Sequence, residues 1–309
     1  MPRYCELPHS GLIGLSGPDA RTFLHSQLTC DVNALAPGRC TYGSYCTPKG
    51  RVLATFLLWR SGDGYYLRLP APLRESIQKR LSMYLLRAKA KIEDAGPLWR
   101  VVGLHGEDAG DHVRRALGAA PQSDMEVAST ADSMIIRLAA HRYEILLSHD
   151  GEPAQLERLK QGTESVSPAH WDWLDIRAGI PTITAPTQEQ FVPQMVNLDL
   201  IGGLSFSKGC YPGQEIVART HFLGRLKQRM FLAHLAAGEP RPGDKLYSPD
   251  LGNQASGMIV NATPAPEGGF DALAAIQIAS AKSGVVRWKS PDGAAFELLP
   301  MPYEVTTEA

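Results

Sequence analysis

The sequence predicts an α+β fold with antiparallel sheets and a C-terminal β-barrel. Strand patterns arrive in adjacent runs with helical patterns between the runs, which favours antiparallel pairs over a doubly wound parallel sheet. From about Met230 onward, short apolar stretches alternate with Gly and Pro, as is typical of a small barrel or sandwich. The length of 309 residues indicates about two compact units. We therefore expect an α+β region over residues 1–228 and a barrel over residues 229–309.

The first predicted elements are a strand, a helix and a hairpin. Residues 12–16 are apolar, and Gly17-Pro18-Asp19 then opens a helix, because Pro is tolerated at the first helical position and Asp is favourable near the positive helix end. Residues 40–46 and 51–59 are expected to pair as a hairpin, since the TPKG sequence at 47–50 supplies turn dihedrals. These elements establish the antiparallel start of the chain.

The next elements continue the same alternation. A strand over residues 65–69 precedes an amphipathic helix that is expected to run to about Ala88. Further strand and helix patterns follow at residues 98–104, 108–117, 133–138, 143–148 and 153–160. A helix that starts at Ser167-Pro168 stops at Gly179, with Pro181 just beyond it.

Composition excludes several classes of protein. Lys and Arg total 31 against 32 Asp and Glu, so the basic excess typical of phosphate-backbone binding is absent and no direct nucleic-acid partner is expected. The longest apolar run, residues 52–59, is too short to span a membrane, and residues 1–17 lack the apolar core of a secretion signal, which favours a cytoplasmic protein. Five cysteines without a C-x-x-C pair predict neither a disulfide framework nor a zinc ribbon, and we predict no metal ligands.

The helix after Ser167 carries two tryptophans, Trp171 and Trp173. One interpretation is a core helix, in which at least one of the two indoles is simply buried. The other interpretation is that one indole face forms a platform for a flat heterocycle, a role that a large rigid aromatic side chain suits. The residues alone leave both interpretations open.

Residues 202–220 hold the most informative cysteine. Cys210 is expected just ahead of a short helix opened by Pro212, where the helix end and the ammonium of Lys208 both favour a thiolate. Such a thiol is a candidate nucleophile, redox group or metal ligand. The alternative is a buried apolar thiol beside a solvated lysine. For the other four cysteines, the buried thiol is the favoured interpretation.

A basic stretch follows at residues 221–229. If this stretch is a strand, Arg225, Lys227 and Arg229 share one face and form a cationic row able to hold carboxylates or a phosphate. The usual meaning of such a row is a solvated face. His221 is expected to be structural.

At this point the chain resembles a known family. The segment KGCYPGQEIVAR at residues 208–219 is similar to the signature of YgfZ-type proteins, folate-binding relatives of the glycine-cleavage T-protein that act in iron–sulfur cluster assembly or repair. The flanking sequences resemble family segments in the expected order: LSGPDARTFLHSQLTCDV, TPKGRVLATFLLW, WLDIRAGIP and FVPQMVNLDLIGG. The similarity extends over most of the first 230 residues and more loosely over the C-terminal region.

The resemblance implies a T-protein-like, three-lobed ring with ferredoxin-like antiparallel sheets in two interleaved lobes, a C-terminal barrel and a cavity for tetrahydrofolate. It implies that Cys210, assisted by Lys208, is the essential reactive residue and that Trp171 contacts the pterin. The cofactor-binding residues expected from the resemblance and from the cationic row are Trp171, Arg177, Tyr211, Gln214, Glu215, Arg225, Lys227 and Arg229. Family members often have a Glu where this chain has Arg177. A hydrogen bond from folate to the carboxylate of that Glu is therefore not expected in this chain.

The expected function is that of an accessory protein that binds folate and supports iron–sulfur enzymes, including tRNA-modifying ones, with client or assembly proteins as partners. The alternative is a folate-dependent one-carbon transferase or demethylase. The related T-protein enzymes have an acidic residue where this chain reads Ala54-Thr55, and one-carbon transfer needs such an acid or electrostatic group. We therefore do not predict an aminomethyltransferase.

Overall fold

A computed structural model describes residues 1–222 and 226–305, apart from the side chain of Glu152. The chain divides into two compact units that are interleaved along the sequence. The first comprises Met1–His25, Asp31–Thr41 and Phe56–Trp171, and the second comprises Ser26–Cys30, Tyr42–Thr55 and the chain from Asp172 onward. Each unit is described separately below.

Seven α-helices and seventeen strands lie in the described residues. The helices are α1 (Ala20–Gln27), α2 (Ala71–Met83), α3 (Ala109–Leu117), α4 (Glu152–Lys160), α5 (Pro168–Arg177), α6 (Gln214–Phe222) and α7 (Ile278–Ser283). The strands of the first 165 residues are β1 (Arg3–Glu6), β2 (Ser10–Ser16), β3 (Cys40–Cys46), β4 (Val52–Ser61), β5 (Gly64–Pro70), β6 (Lys91–Asp94), β7 (Trp99–His105), β8 (Glu126–Ser129), β9 (Ser133–Ala139), β10 (Arg142–Ser148) and β11 (Glu164–Ser165). The remaining strands are β12 (Gln228–Leu235), β13 (Lys245–Tyr247), β14 (Ala255–Pro264), β15 (Phe270–Gln277), β16 (Val286–Trp288) and β17 (Ala295–Leu299).

The first unit contains a six-stranded sheet in the order β11-β1-β7-β10-β9-β8. Its pairs are antiparallel except for β1 and β11, which run parallel. Helices α3 and α4 cover the sheet, because the buried side chains of Val113 and Leu159 join Ile145 and Leu147 of β10 in one apolar cluster. A second sheet has the order β3-β4-β5-β2-β6; its strands β5, β2 and β6 belong to the first unit, and most of β3 and the start of β4 belong to the second. Helix α2 of the first unit has a buried face of Leu73, Ile77 and Leu81.

The second unit contains a closed barrel in the order β12-β15-β14-β13-β16-β17, with antiparallel pairing throughout. Aliphatic and aromatic side chains fill its interior, among them Ala233, Ile259 and Phe296. The antiparallel α+β architecture and the C-terminal barrel predicted from the sequence are both confirmed. The barrel begins at Gln228, although the boundary of a separate domain at residue 228 stays a prediction.

One predicted helix is shorter than expected. The periodicity indicated a helix to about Ala88, whereas α2 ends at Met83. Leu86 adopts a positive φ of 44° and is 89% exposed, so the apolar spacing continues past the point where the helical backbone stops. No helix among the described residues is long and apolar enough to cross a lipid bilayer.

Candidate functional site

The segment from Lys208 to Arg219 is fixed on the second unit through a glycine. Gly213 has a φ of +84°, and a Cβ atom built there would lie 2.5 Å from Gly50 Cα and 2.5 Å from the carbonyl oxygen of Thr47. A residue with a side chain is therefore excluded on two grounds, the backbone conformation and the space. The close approach holds the start of α6 against the turn between β3 and β4.

Helix α6 packs through its inward face. Val217 is fully buried in the apolar cluster that also contains Ile183 and Leu204. Gln194 donates a hydrogen bond from its Nε2 to the carbonyl oxygen of Val217, at 2.8 Å. Glu215, one position along the helix from Gln214, is exposed on the opposite side. The helix was predicted from Pro212 onward, and its first helical residue is Gln214.

Cys210 is presented on the surface by this segment. All five cysteines lie in the described part of the chain, and Cys210 is exposed whereas Cys5, Cys30, Cys40 and Cys46 are buried. Burial raises the pKa of the Cys40 and Cys46 thiols to about 12, so these two remain protonated at neutral pH. Accessibility therefore singles out Cys210 as the thiol that a partner or ligand can reach.

Lys208 lies inside the protein, in contrast to the solvated lysine considered from the sequence. Its side chain is 7% exposed, and its Nζ donates a hydrogen bond to the carbonyl oxygen of Leu28. The same ammonium lies 5.0 Å from the centre of the Tyr211 ring, a cation–π contact. Tyr211 is buried, which raises the pKa of its hydroxyl above the usual value of 10. The structure thus assigns Lys208 a role in holding the segment together through the interior.

Gln214 supports the same backbone. Its Nε2 lies 3.5 Å from the carbonyl oxygen of Lys208, at the far end of hydrogen-bonding range. Lys208, Tyr211 and Gln214 are therefore brought together around the loop that carries Cys210. Glu215 lies next to Gln214 in sequence, but its side chain is exposed and is not part of this cluster.

An aromatic surface lies on the same segment and was missed in the sequence. The rings of Phe206 and His221 stack with centroids 3.8 Å apart, and Phe222 lies edge-on to both. Phe222 is 67% exposed and Ile216 is 41% exposed. Residues 221–229 were considered as a strand, but α6 includes His221 and Phe222.

Of the cationic row considered at residues 225–229, the two described members, Lys227 and Arg229, differ in exposure. Arg229 is 7% exposed and makes a two-point ion pair with Asp199, with N–O distances of 2.7 and 2.9 Å. Its Nη1 also donates to the carbonyl oxygen of Gln194, at 3.0 Å. Lys227 is exposed, and Arg225 lies outside the described residues. A carboxylate of this chain occupies the Arg229 guanidinium, so this geometry does not support the expectation that Arg229 holds a ligand carboxylate, which stays a prediction.

Asn197 explains how this interior arrangement is fixed. The residue has a φ of 57°, and its side-chain amide bonds the backbone of Met230 in both directions, donating at 2.8 Å and accepting at 3.2 Å. The amide therefore acts like a strand partner for β12. Tyr303 lies beside it and donates from its hydroxyl to the carbonyl oxygen of Gly179, at 2.8 Å.

Trp171 belongs to the first unit and is 1% exposed. The guanidinium of Arg142 lies 4.3 Å from the centre of its ring, and a Cβ on Gly103 would lie 2.4 Å from its ring carbons. No ring face is open in this structure, and the contact of a pterin with this indole stays a prediction. The indole Nε1 is buried and has no hydrogen-bond partner among residues 1–222 and 226–305, an unusual state for such a donor.

His170, the residue before Trp171, forms a pair with His105. Their Nε2 atoms are 3.0 Å apart and share a hydrogen bond, and the rings are nearly parallel with centroids 4.9 Å apart. Burial lowers the pKa of His105 to about 4, with further contributions from His170 and the nearby arginines. The pKa of His170 is also lowered, chiefly by burial. Both imidazoles are therefore neutral at neutral pH.

Arg177 lies in a different polar cluster, on the second unit. Its Nη1 is 3.6 Å from Asp271, a carboxylate that is 4% exposed. Asp271 also accepts hydrogen bonds from Trp173 Nε1 and His234 Nδ1, both at 2.8 Å. The Arg177 side chain is 43% exposed, so part of its guanidinium faces solvent.

The structure also describes Ala54-Thr55, the pair that stands where T-protein enzymes are expected to have an acidic residue. Ala54 and Thr55 are buried, and the Thr55 hydroxyl accepts a hydrogen bond from the backbone N–H of Ile183, at 3.0 Å. The hydroxyl therefore holds the backbone of Ile183 in place. Within residues 1–222 and 226–305, no group of three or more His, Cys, Asp or Glu side chains is arranged to hold a metal ion.

Comparisons with known proteins agree with this geometry. The family described as GCVT N-terminal domain matches residues 4–130. A "tRNA-modifying protein YgfZ" from Colwellia psychrerythraea is 31% identical over 247 residues, which cover 80% of this chain and 76% of that protein. The protein of the same description from Pectobacterium carotovorum is 30% identical over 99% of this chain and 92% of its own length.

A solved structure shows the fold. The glycine cleavage system aminomethyltransferase T from Bartonella henselae has a TM-score of 0.80 and covers 98% of this chain and 86% of its own, at 18% identity. The T-protein-like fold predicted from the sequence is thereby confirmed. The two YgfZ relatives are 31% and 30% identical to this chain, and the matches cover 76% and 92% of their own lengths. The chain therefore belongs to the YgfZ family.

Proposed function

We propose that this chain is a folate-binding accessory protein that supports iron–sulfur enzymes, including enzymes that modify tRNA. The observation that carries the proposal is the presentation of Cys210. This thiol is exposed at the tip of a segment whose neighbouring side chains, Lys208, Tyr211 and Val217, all point inward. An accessible thiol that is held by a rigid frame is suited to act on a partner protein.

The cysteine count limits what the thiol does. A cluster ligated by cysteine takes about four thiolates, and four of the five cysteines are buried. Cys210 therefore contributes at most one ligand or one reactive sulfur to a cluster that a client or assembly protein holds. The formal net charge of −1 supports an indirect effect on tRNA, through a client enzyme.

Folate is proposed from the T-protein-like fold, and one residue of the first unit fits it. The Nε1–H of Trp171, which has no hydrogen-bond partner among residues 1–222 and 226–305, is a buried donor for a heterocycle oxygen or nitrogen. Arg229 does not fit, because Asp199 occupies it. When bound, folate supplies a one-carbon carrier, and the chain supplies hydrogen-bond donors that orient it.

Titration with folate and folinic acid tests this ligand. We expect saturable quenching of tryptophan fluorescence, and calorimetry on Trp171→Phe is expected to show about tenfold weaker binding from the lost N–H. Trp288→Phe is the matched control, because the Nε1 of Trp288 already donates to Asp244 at 2.8 Å. Absence of binding by the unmodified chain contradicts the folate proposal, and equal affinity of the two variants contradicts the role of Trp171.

Genetic complementation tests the thiol. In cells lacking the protein, Cys210→Ala is expected to fail to restore iron–sulfur enzyme activity while the protein accumulates normally. Cys5→Ala, which removes a fully buried thiol, is the control and is expected to restore it. Restoration by Cys210→Ala contradicts the proposed role.

A turnover assay separates the accessory role from the alternative transferase. Tetrahydrofolate and a methylated amine are incubated with the protein, and methylene-tetrahydrofolate is measured. Because Thr55 offers no acid, no sustained product is expected. Sustained turnover proportional to protein concentration contradicts the accessory role.

A further inference from the structure

A cavity of about 480 Å³ lies in the first unit, beside the start of α1 and the turn between β4 and β5. It is lined by Gly17, Pro18, Arg21, Arg60, Asp63 and Tyr65. None of these residues belongs to the segment around Cys210 or to the clusters of Trp171 and Arg177. Its volume is in the range of small-molecule sites.

Strand register brings Arg60 and Tyr65 together. Arg60 of β4 lies directly opposite Tyr65 of β5, and Tyr65 lies opposite Leu15 of β2. Residues paired in this way project from the same face of a sheet, with Cβ atoms about 5 Å apart. The Arg60 guanidinium and the Tyr65 phenol are therefore neighbours because their strands are paired, whatever the conformation of the loops.

Tyr65 contributes a hydroxyl to this cavity. The residue is 5% exposed, and its hydroxyl makes no hydrogen bond to any residue in 1–222 or 226–305. The hydroxyl oxygen is not one of the buried, unsatisfied polar atoms of these residues, so it stays accessible at the cavity and can donate there to water or to a ligand. Because Tyr65 is otherwise packed, this donor is held in place before anything binds.

Two guanidiniums add positive charge to the same cavity. Arg60 Nε donates to the carbonyl oxygen of Gly62 at 3.1 Å, and Arg21 Nη2 donates to the carbonyl oxygen of Asn33. Each contact fixes a guanidinium through one N–H and leaves other N–H groups available. Arg60 Nη2 is 3.8 Å from Asp63, whose side chain is fully exposed, so that ion pair is weak.

The start of α1 contributes a further positive potential. The N-terminal end of a helix favours anions through its dipole. The N–H of Ala20, the first residue of α1, already donates to the carbonyl oxygen of Gly17 at 3.1 Å, so this N–H is not open to a ligand. The nearby carboxylate of Asp19 accepts a hydrogen bond from the backbone N–H of Lys89 at 2.7 Å, so it is used in the loop. The cavity thus combines two arginines, one carboxylate, a helix N-terminus and an unpartnered phenol.

We propose that this cavity binds a phosphate group of a small phosphate monoester. Arginine N–H groups and a phenol are donors that match phosphate oxygens, and the doubly charged monoester gains most from two guanidiniums. A phosphodiester of RNA shares the chemistry but carries one charge per phosphate, and it needs a longer basic track than a single cavity provides.

Calorimetric titration of the full chain at low ionic strength tests the proposal, with inorganic phosphate, 5′-AMP and a short RNA without a terminal phosphate as probes. Arg60→Gln is expected to weaken phosphate binding about tenfold or more, and Tyr65→Phe about three- to tenfold. Asp63→Asn is expected to strengthen it about twofold, because a repulsive charge is removed. Arg87→Gln, an exposed arginine of the first unit outside the cavity, is the matched control.

The relative affinities of the three probes show which kind of molecule supplies the phosphate group. Tighter binding of 5′-AMP than of the RNA supports the monoester, and tighter binding of the RNA overturns it in favour of a nucleic-acid contact. No binding of any probe overturns the site, as does equal loss in Arg87→Gln and Arg60→Gln. Asp63→Asn changes a fully exposed side chain, so its opposite sign gives a result that a folding defect does not mimic.

Discussion

Cys210 and Arg229 come from neighbouring parts of the sequence, and both were expected to face a ligand, yet the structure treats them in opposite ways. Around Cys210, the neighbouring side chains turn inward and the thiol is left on the surface. Around Arg229, the guanidinium turns inward and meets Asp199. The difference teaches that a reactive or charged residue is available to a ligand only when no distant part of the chain supplies its partner.

The strongest test of this contrast is removal of the interior carboxylate. Asp199→Ala leaves the Arg229 guanidinium buried without its counter-charge, and we expect a loss of about 3–5 kcal/mol in the free energy of unfolding, measured by urea denaturation. Replacing both partners, as Asp199→Leu with Arg229→Met, is expected to recover much of the loss. A loss below about 1 kcal/mol for Asp199→Ala contradicts the buried pair.

A second test concerns the frame that presents Cys210. Gly213→Ala forces a Cβ into the backbone of Gly50 at a positive φ, and we expect a loss of about 1–3 kcal/mol in the free energy of unfolding. Gly202→Ala is the matched control, because Gly202 also has a positive φ, 77°, but a Cβ there meets no atom within 4 Å. Equal losses for both variants contradict the importance of the contact with Gly50.

The pair of His105 and His170 in the first unit is a further case in which polar side chains pair with each other inside the protein. Because the pKa of His105 is about 4 in the folded protein and about 6.5 when unfolded, the unfolded state binds more protons between these values. Stability is therefore expected to fall by about 2–3 kcal/mol as the pH drops from 6.5 to 4. Urea denaturation of His105→Asn at several pH values is expected to show a shallower dependence, whereas His141→Asn retains it. An unchanged slope in His105→Asn contradicts the role of the pair.

The smallest expected effect is at the exposed thiol itself. Cys210→Ala removes a surface side chain, and we expect the free energy of unfolding to change by less than about 0.5 kcal/mol. The same variant loses activity in the complementation experiment, so stability and function separate at this residue. A loss of 2 kcal/mol or more contradicts the view that the thiol has no part in packing.

Local patterns predicted the fold well, and long-range pairing explains where they failed. The barrel strands and the start of α6 were predictable because alternation, Pro and Gly act over a few residues. The burial of Arg229 depends on Asp199, thirty positions earlier, and the burial of Lys208 depends on the carbonyl oxygen of Leu28. Neither partner is visible in the local sequence. The closed environment of Trp171 depends likewise on Arg142 and Gly103.

The interleaving of the two units has a consequence for synthesis of the chain. Residues Ser26–Cys30 and Tyr42–Thr55 belong to a unit whose other residues begin at Asp172, more than a hundred positions later. At ~5–20 residues per second, these early strands leave the ribosome on the order of ten seconds before the rest of their unit exists. The buried surface of Cys46 and Val52 is exposed during that interval. The nascent chain is therefore most vulnerable to aggregation at that stage, and chaperone demand is concentrated there.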